Sequence, residues 1–132
     1  MADDGYAQLE AFRRRIARVK DLPKRAAPVV AAELERITRE HIAKGVDPDG
    51  RPWPLRQDGK RALQTAGNGL SSRAVGTVAL VRLDGKSVLH HLGAVRGGIK
   101  RQILPGRRLP PEYVKAVRAA VVREFRELQG GT

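Results

Sequence analysis

The chain has 132 residues, with 26 Lys and Arg against 14 Asp and Glu, for a formal net charge of +12. Hydrophobic residues make up 41% and charged residues 30%, which suffices for one folded domain and is too apolar for a disordered polybasic tail. The absence of cysteine excludes disulfide scaffolds, Cys-based zinc sites, iron–sulfur clusters and thiol catalysis; no apolar run reaches the ~20 residues of a membrane-spanning helix, and the acidic opening MADDGYAQLEAF does not read as a secretory signal.

From about Asp4 to Asp21, Leu9, Phe12, Ile16 and Val19 recur at steps of three and four among Arg13, Arg14, Arg15 and Arg18, the pattern of an amphipathic helix. Asp3 and Asp4 suit a helix N-terminus. Leu22-Pro23 breaks that helix. A second helix built on Val30, Leu34, Ile37, His41 and Ile42 runs to about Lys44, with Gly45 as its C-terminal cap. It starts either at Pro28 or at Pro23 with Pro28 inside it. Residues 1–45 thus read as an antiparallel helical hairpin.

Residues 46–72 read as an ordered loop, because Pro48, Gly50, Pro52 and Pro54 forbid helix and most ladder pairing. Its Trp53 is the chain's single tryptophan and serves either as an anchor to the core or as a partner contact, with Leu55 beside it. Residues 73–109 read as a β-hairpin and a basic loop. Arg73 to Leu83 alternates, with apolar residues on both faces, so the strand needs cover on both sides or a subunit contact. Asp84-Gly85 is the expected hairpin turn and Lys86 to Leu92 the returning strand. Residues 110–129 form a last helix opened by Pro110-Pro111, with Val114, Val117, Val121, Phe125 and Leu128 on its buried face. The expected fold is a single α+β domain over 1–132: two N-terminal antiparallel helices, a small antiparallel sheet built on the hairpin, and a C-terminal helix packed on it.

The residues give little chemistry. On a strand, His90 and His91 point to opposite faces and cannot share a metal ion; one of them is expected against the helices, bonded to a backbone carbonyl. Asp47, Asp49 and Asp58 have the spacing of a calcium loop, but Arg51 stands at a ligand position and Pro52 replaces the turn glycine. Gly67-Asn68-Gly69 and Gly97-Gly98 lack the context of a phosphate loop. Ser71, Ser72 and Ser87 have no nucleophile elbow and no orienting acid. No catalytic residue, metal site or cofactor is expected, and the chain does not read as an enzyme. Charge carries more information. Gly85 to Pro111 holds no acid but contains Lys86, Arg96, Lys100, Arg101, Arg107 and Arg108, so Arg96, Lys100, Arg101, Arg107 and Arg108 are the candidate contact to DNA phosphate or to an acidic neighbour.

Two helices, the loop Asp47-Pro48-Asp49-Gly50-Arg51-Pro52-Trp53-Pro54-Leu55, the stretch Leu63 to Ser72, the segment His90-His91-Leu92-Gly93, then Ile103-Leu104-Pro105 and a final helix follow one another in an order that resembles the tailed-bacteriophage virion morphogenesis family. These are the tail completion and head–tail joining proteins of the neck. The signature is Pro48, Gly50, Trp53 and Leu55, and the likeness extends from about Leu9 to Leu128. It implies a structural virion protein, made in the bacterial cytoplasm. Such a protein forms a ring, typically of six copies, around the DNA channel, with other neck, portal-side or tail-tube proteins as partners and no membrane. A sequence-independent DNA-binding module is the alternative.

Overall fold

The computed structural model of the chain describes residues 2–93, 95 and 98–130. Four helices and one antiparallel hairpin follow in the order α1 (Ala2–Val19), α2 (Leu22–Lys44), β1 (Leu70–Val75), β2 (Val78–Leu83), α3 (Ser87–Leu92) and α4 (Pro111–Gly130), with a 3-10 turn at Ala66–Gly69 before β1. The α+β class expected from the sequence is present. Among the described residues no helix is long and apolar enough to cross a membrane.

Helix α2 is the central element, with α4 along one side and the hairpin against another. It starts at Leu22, places Pro23 in the first turn where a missing N–H is harmless, and continues through Pro28. It stops at Gly45, which adopts φ 72° and donates its N–H to Ile42 (3.1 Å), while Val46 donates to the His41 carbonyl (3.0 Å). Two last-turn carbonyls are thereby satisfied. The Arg61 guanidinium reaches the Ile42 and Ala43 carbonyls at the same terminus.

α2 and α4 run antiparallel. At one end Arg25 bonds Glu124 (2.9 Å) and Glu127 (3.1 Å); at the other, His41 meets Glu112 (2.8 Å). Between them Ala26, Ala27, Ala31, Ile37 and Ala120 are buried, and small side chains let the two backbones approach closely. Tyr113 is fully buried. Because the Thr38 hydroxyl donates to the Leu34 carbonyl (2.8 Å), Tyr113 donates to Thr38 Oγ1 (3.2 Å). The His41 ring stands edge-on to Tyr113, 5.6 Å between centroids, with Nδ1 donating to the Asp47 carbonyl (2.8 Å). Burial raises the Tyr113 pKa against the opposing Thr38 hydrogen bond. The buried stripe of α4 is therefore Tyr113, Ala120 and Glu124; Val114 and Phe125, expected inside, are exposed.

A second core lies between the end of α2, the base of the hairpin and residues 103–104. Ile42, Trp53, Ala66, Leu70, Leu83 and Ile103 form its buried centre.

The hairpin differs from the expected one. Leu70 pairs with Leu83 and Val75 with Val78, leaving Gly76-Thr77 as a two-residue turn with Gly76 at φ 60°, the conformation a tight hairpin requires. Gly76 therefore ends a strand rather than interrupting one. Asp84-Gly85 leads instead into α3, with Val88 and Leu89 donating back to Gly85 and Lys86. Lys86 to Leu92 is thus not a returning strand: its local hydrogen bonds close as a short helix, capped by Gly93 at φ 76°. At the sheet's base, Asp84 donates its N–H to the Gly69 carbonyl (2.8 Å), and a Cβ at Gly69 would collide with the Asp84 carbonyl.

Gly69→Ala forces that junction apart and should cost about 1–3 kcal/mol, the range for overpacking a closed site. Gly5→Ala, where nothing lies within 4 Å, should be neutral or slightly stabilising. Urea denaturation of the two variants checks the contrast.

Candidate assembly surfaces and the basic segment

Trp53 is the anchor of the 46–72 loop. The loop turns on Asp47, whose Oδ1 accepts the N–H groups of Asp49 (2.9 Å) and Arg51 (2.8 Å), so this carboxylate organises backbone rather than facing an ion. Trp53 donates its N–H to the Gly45 carbonyl (2.9 Å) and its indole Nε1–H to the Gln102 carbonyl (2.8 Å). Leu55, two residues on, is exposed.

The five basic residues singled out by sequence separate into different environments. Lys100, Arg107 and Arg108 are exposed. Arg96 lies outside the described residues. Arg101 is only 5% exposed and faces inward: Nε donates to the Pro54 carbonyl (2.9 Å), Nη2 to the Leu55 carbonyl (3.2 Å) and Nη1 to His90 Nδ1 (3.1 Å). A planar guanidinium satisfies three acceptors at once where an ammonium cannot. Arg101 is therefore a structural clamp between the Trp53 loop and α3, not a surface contact, because these bonds require its burial.

His90 and His91 sit on α3, not on a strand. His91 Nδ1 accepts the N–H of Ile103 (3.1 Å) and of Leu104 (3.4 Å). The expectation that one ring bonds a backbone carbonyl is thus reversed: the ring accepts from amides. His90 Nδ1 accepts from Arg101. Each ring therefore carries its neutral-state proton on Nε2. Burial, followed by Arg101 for His90 and Lys100 for His91, lowers both pKa values.

Ser87 and His90 line a cavity of about 380 Å³ together with Arg56, Arg61 and Lys86. Arg61 is engaged with the α2 carbonyls, and Arg56 pairs with Asp58 (3.4 Å). The ring nitrogen of His90 that would need an orienting carboxylate in a Ser–His–acid arrangement accepts a hydrogen bond from Arg101 instead. Among the described residues no group of three His, Asp or Glu side chains converges as for a metal ion.

Apolar surface is the larger feature. Tyr6, Leu9, Phe12 and Ile16 of α1 are between 46% and 67% exposed. Leu9, Phe12 and Ile16 belong to the stripe that periodicity marks, but periodicity does not show that it stays open; the main tertiary contacts of α1 are with α4. On β2 the alternation holds: Leu83 is buried, Ala79 and Val81 are half-buried, and Val78 and Leu80 face out. Leu109, Val114 and Val122 border an apolar groove on the outer side of α4. Leu89 and Leu92 of α3 are also exposed; a six-residue helix has too few turns to reveal its faces by periodicity.

Comparison with family models, with curated proteins and with solved structures returned no match.

Because both histidines bind fewer protons in the folded than in the unfolded chain, their contribution to stability is complete above the ordinary histidine pKa of ~6.5 and declines as pH falls toward the depressed folded values. Thermal melts should therefore shift to lower temperature between about pH 7 and about pH 5, and His91→Asn, which keeps an acceptor near Nδ1 but cannot titrate, should flatten that dependence.

Proposed function

We propose that this chain is a structural protein of the tailed-phage neck, which completes the tail or joins it to the head by assembling copies of itself into a ring, typically of six, around the DNA channel. One observation carries the assembly reading. A compact monomer of this mass exposes about 6,900 Å², whereas this chain of 14.5 kDa exposes 9503 Å², an excess of about 2,600 Å² that includes the apolar stripe of α1 and the outer hairpin face. A ring subunit meets two neighbours, and each standard interface removes about 800 Å² from each partner. The excess is larger than the roughly 1,600 Å² that two such interfaces would remove.

The resemblance of the Pro48, Gly50, Trp53 and Leu55 loop to neck proteins supplies the biological setting, and the fold gives that loop a physical role as a rigid brace held by Trp53 and Arg101. Exposed Lys100, Arg107 and Arg108 offer positive charge to an acidic neighbouring ring or to the DNA passing through it. Electrostatic complementarity of that kind selects the partner and speeds docking rather than supplying most of the affinity. The protein then acts by controlled association and resides in the virion. A free DNA-binding module is the alternative that the same three cations support.

Native mass spectrometry of the purified full-length chain should show a closed oligomer of defined copy number, and peptides of the protein should be found in purified virions. A monomer that binds duplex DNA with steep salt dependence would replace the neck reading by the DNA-binding one.

A further inference from the structure

We infer that the cavity between residues 61–65 and the start of α3 is an oxyanion site that takes one phosphate group. It shares no residue with the apolar surfaces on which the neck reading rests.

Its walls carry donors and no acid. Arg61, Gln64 and Thr65 line one side, and Lys86, Ser87 and His90 the other. Lys86 and Ser87 stand four and three residues before His90, the spacing that brings side chains onto one helical face. Arg56 adds a third cation, and no Asp or Glu is among the lining residues.

The cations are not neutralised from within. Among the described residues neither Lys86 nor Arg61 pairs with a carboxylate. Arg61 uses Nη2 on the Ile42 and Ala43 carbonyls, which fixes the guanidinium and leaves its other donors free of acceptors among the described residues. Arg56 does pair with Asp58 at 3.4 Å, but the two side chains are 60% and 42% exposed, and an ion pair so open to water holds its partners weakly. His90 Nδ1 accepts from Arg101 (3.1 Å), so Nε2–H is the donor that the ring still has to offer. Three like charges around one cavity repel one another, and an anion between them turns that repulsion into attraction.

Backbone strain falls at the same place. Leu63, on the cavity wall, has φ 60° and is the one non-glycine residue at positive φ among the described residues. A bulky side chain rarely adopts this conformation, and such strain gathers at ligand clamps. The Leu63 carbonyl accepts the Ala66 N–H (3.0 Å), so the strained residue leads the chain into the 3-10 turn with Gln64 and Thr65 between them.

Charge and shape select the ligand. A carboxylate presents two oxygens in one plane, whereas phosphate presents oxygens around a centre and meets cations and hydroxyls on facing walls together. A cavity of about 380 Å³ is of the size of small-ligand sites and leaves room for an ester substituent beside Ala62 and Leu63. Free phosphate and the phosphodiester of a nucleic acid share this chemistry.

Titration calorimetry of the full-length chain in chloride buffer tests the site, with inorganic phosphate as probe and acetate as control. Phosphate should bind once per chain, and acetate about ten-fold more weakly or worse. Lys86 is exposed, so Lys86→Gln leaves the fold intact; it should weaken phosphate about ten-fold or more, the effect of one charge-assisted hydrogen bond. Lys100→Gln removes the same charge outside the cavity and should change binding less than about two-fold, because solvent and salt screen it. Thr65→Val keeps the net charge and should also weaken phosphate. A short DNA duplex separates the sources. Duplex binding that is weakened by Lys86→Gln and competed by phosphate assigns the site to the nucleic-acid backbone; duplex binding indifferent to Lys86→Gln, or absent, assigns it to free phosphate. No phosphate binding, acetate binding as tight as phosphate, or equal losses in Lys86→Gln and Lys100→Gln would overturn the inference. The copy number seen by native mass spectrometry, which tests the neck reading, is independent of all these results.

Discussion

Helix α2 has to be covered on two sides by elements distant in sequence, and the rest of the structure follows from how that is done. On one side Ala26, Ala27 and Ala31 give α4 room to lie close, and the Arg25 and His41 contacts to Glu124 and Glu112 hold the two helices in register at both ends. Tyr113 fills the middle and finds in Thr38 the one partner its hydroxyl needs. On the other side Ile42 enters the core that Trp53, Leu70, Leu83 and Ile103 complete. The cost of removing Tyr113 is that of a large buried aromatic plus an unpaired Thr38 environment, which places this contact among the most sensitive in the molecule.

This arrangement explains what was legible in the sequence and what was not. Long helices with proline and glycine punctuation were readable: Pro23, Gly45 and Pro111 all stand where backbone chemistry places them. The loop around Trp53 was readable because four prolines or glycines leave no alternative. The hairpin was misplaced because two turn signals compete within ten residues, Gly76-Thr77 and Asp84-Gly85. Only the first joins strands, and the choice is made by the pairing of Leu70 with Leu83, a contact between residues that no local pattern connects. The buried face of α4 was read only in part, for a related reason. Of the apolar face expected from periodicity, Val117, Val121 and Leu128 are half-buried and only Val114 and Phe125 turn outward, while the alanine-lined side of α2 selects Tyr113, Ala120 and Glu124, whose carboxylate is paired with Arg25. Tertiary fit overrides hydrophobicity where small residues set the helix spacing.

Arg101 shows the same limit for the candidate site. In sequence it belongs to a basic stretch without acids, Gly85 to Pro111. In the fold it is the residue that ties Pro54, Leu55 and His90 together, and nothing in the run distinguishes it from Lys100. The consequence is functional: the segment is braced from within by one arginine and presents Lys100, Arg107 and Arg108 outward. His90 and His91, which look like chemistry in the sequence, act as neutral acceptors that hold this brace.

Where α2 is packed on two sides, α1, the outer hairpin face and one side of α4 leave apolar side chains exposed, and the proposed self-assembly rests on these surfaces. Amide hydrogen exchange of the full-length protein, measured in dilute and in concentrated solution, tests this directly. Protection in α1 and in β2 should rise with concentration while that of α2 stays constant. Exchange in α1 and β2 that is unchanged by concentration would contradict the account.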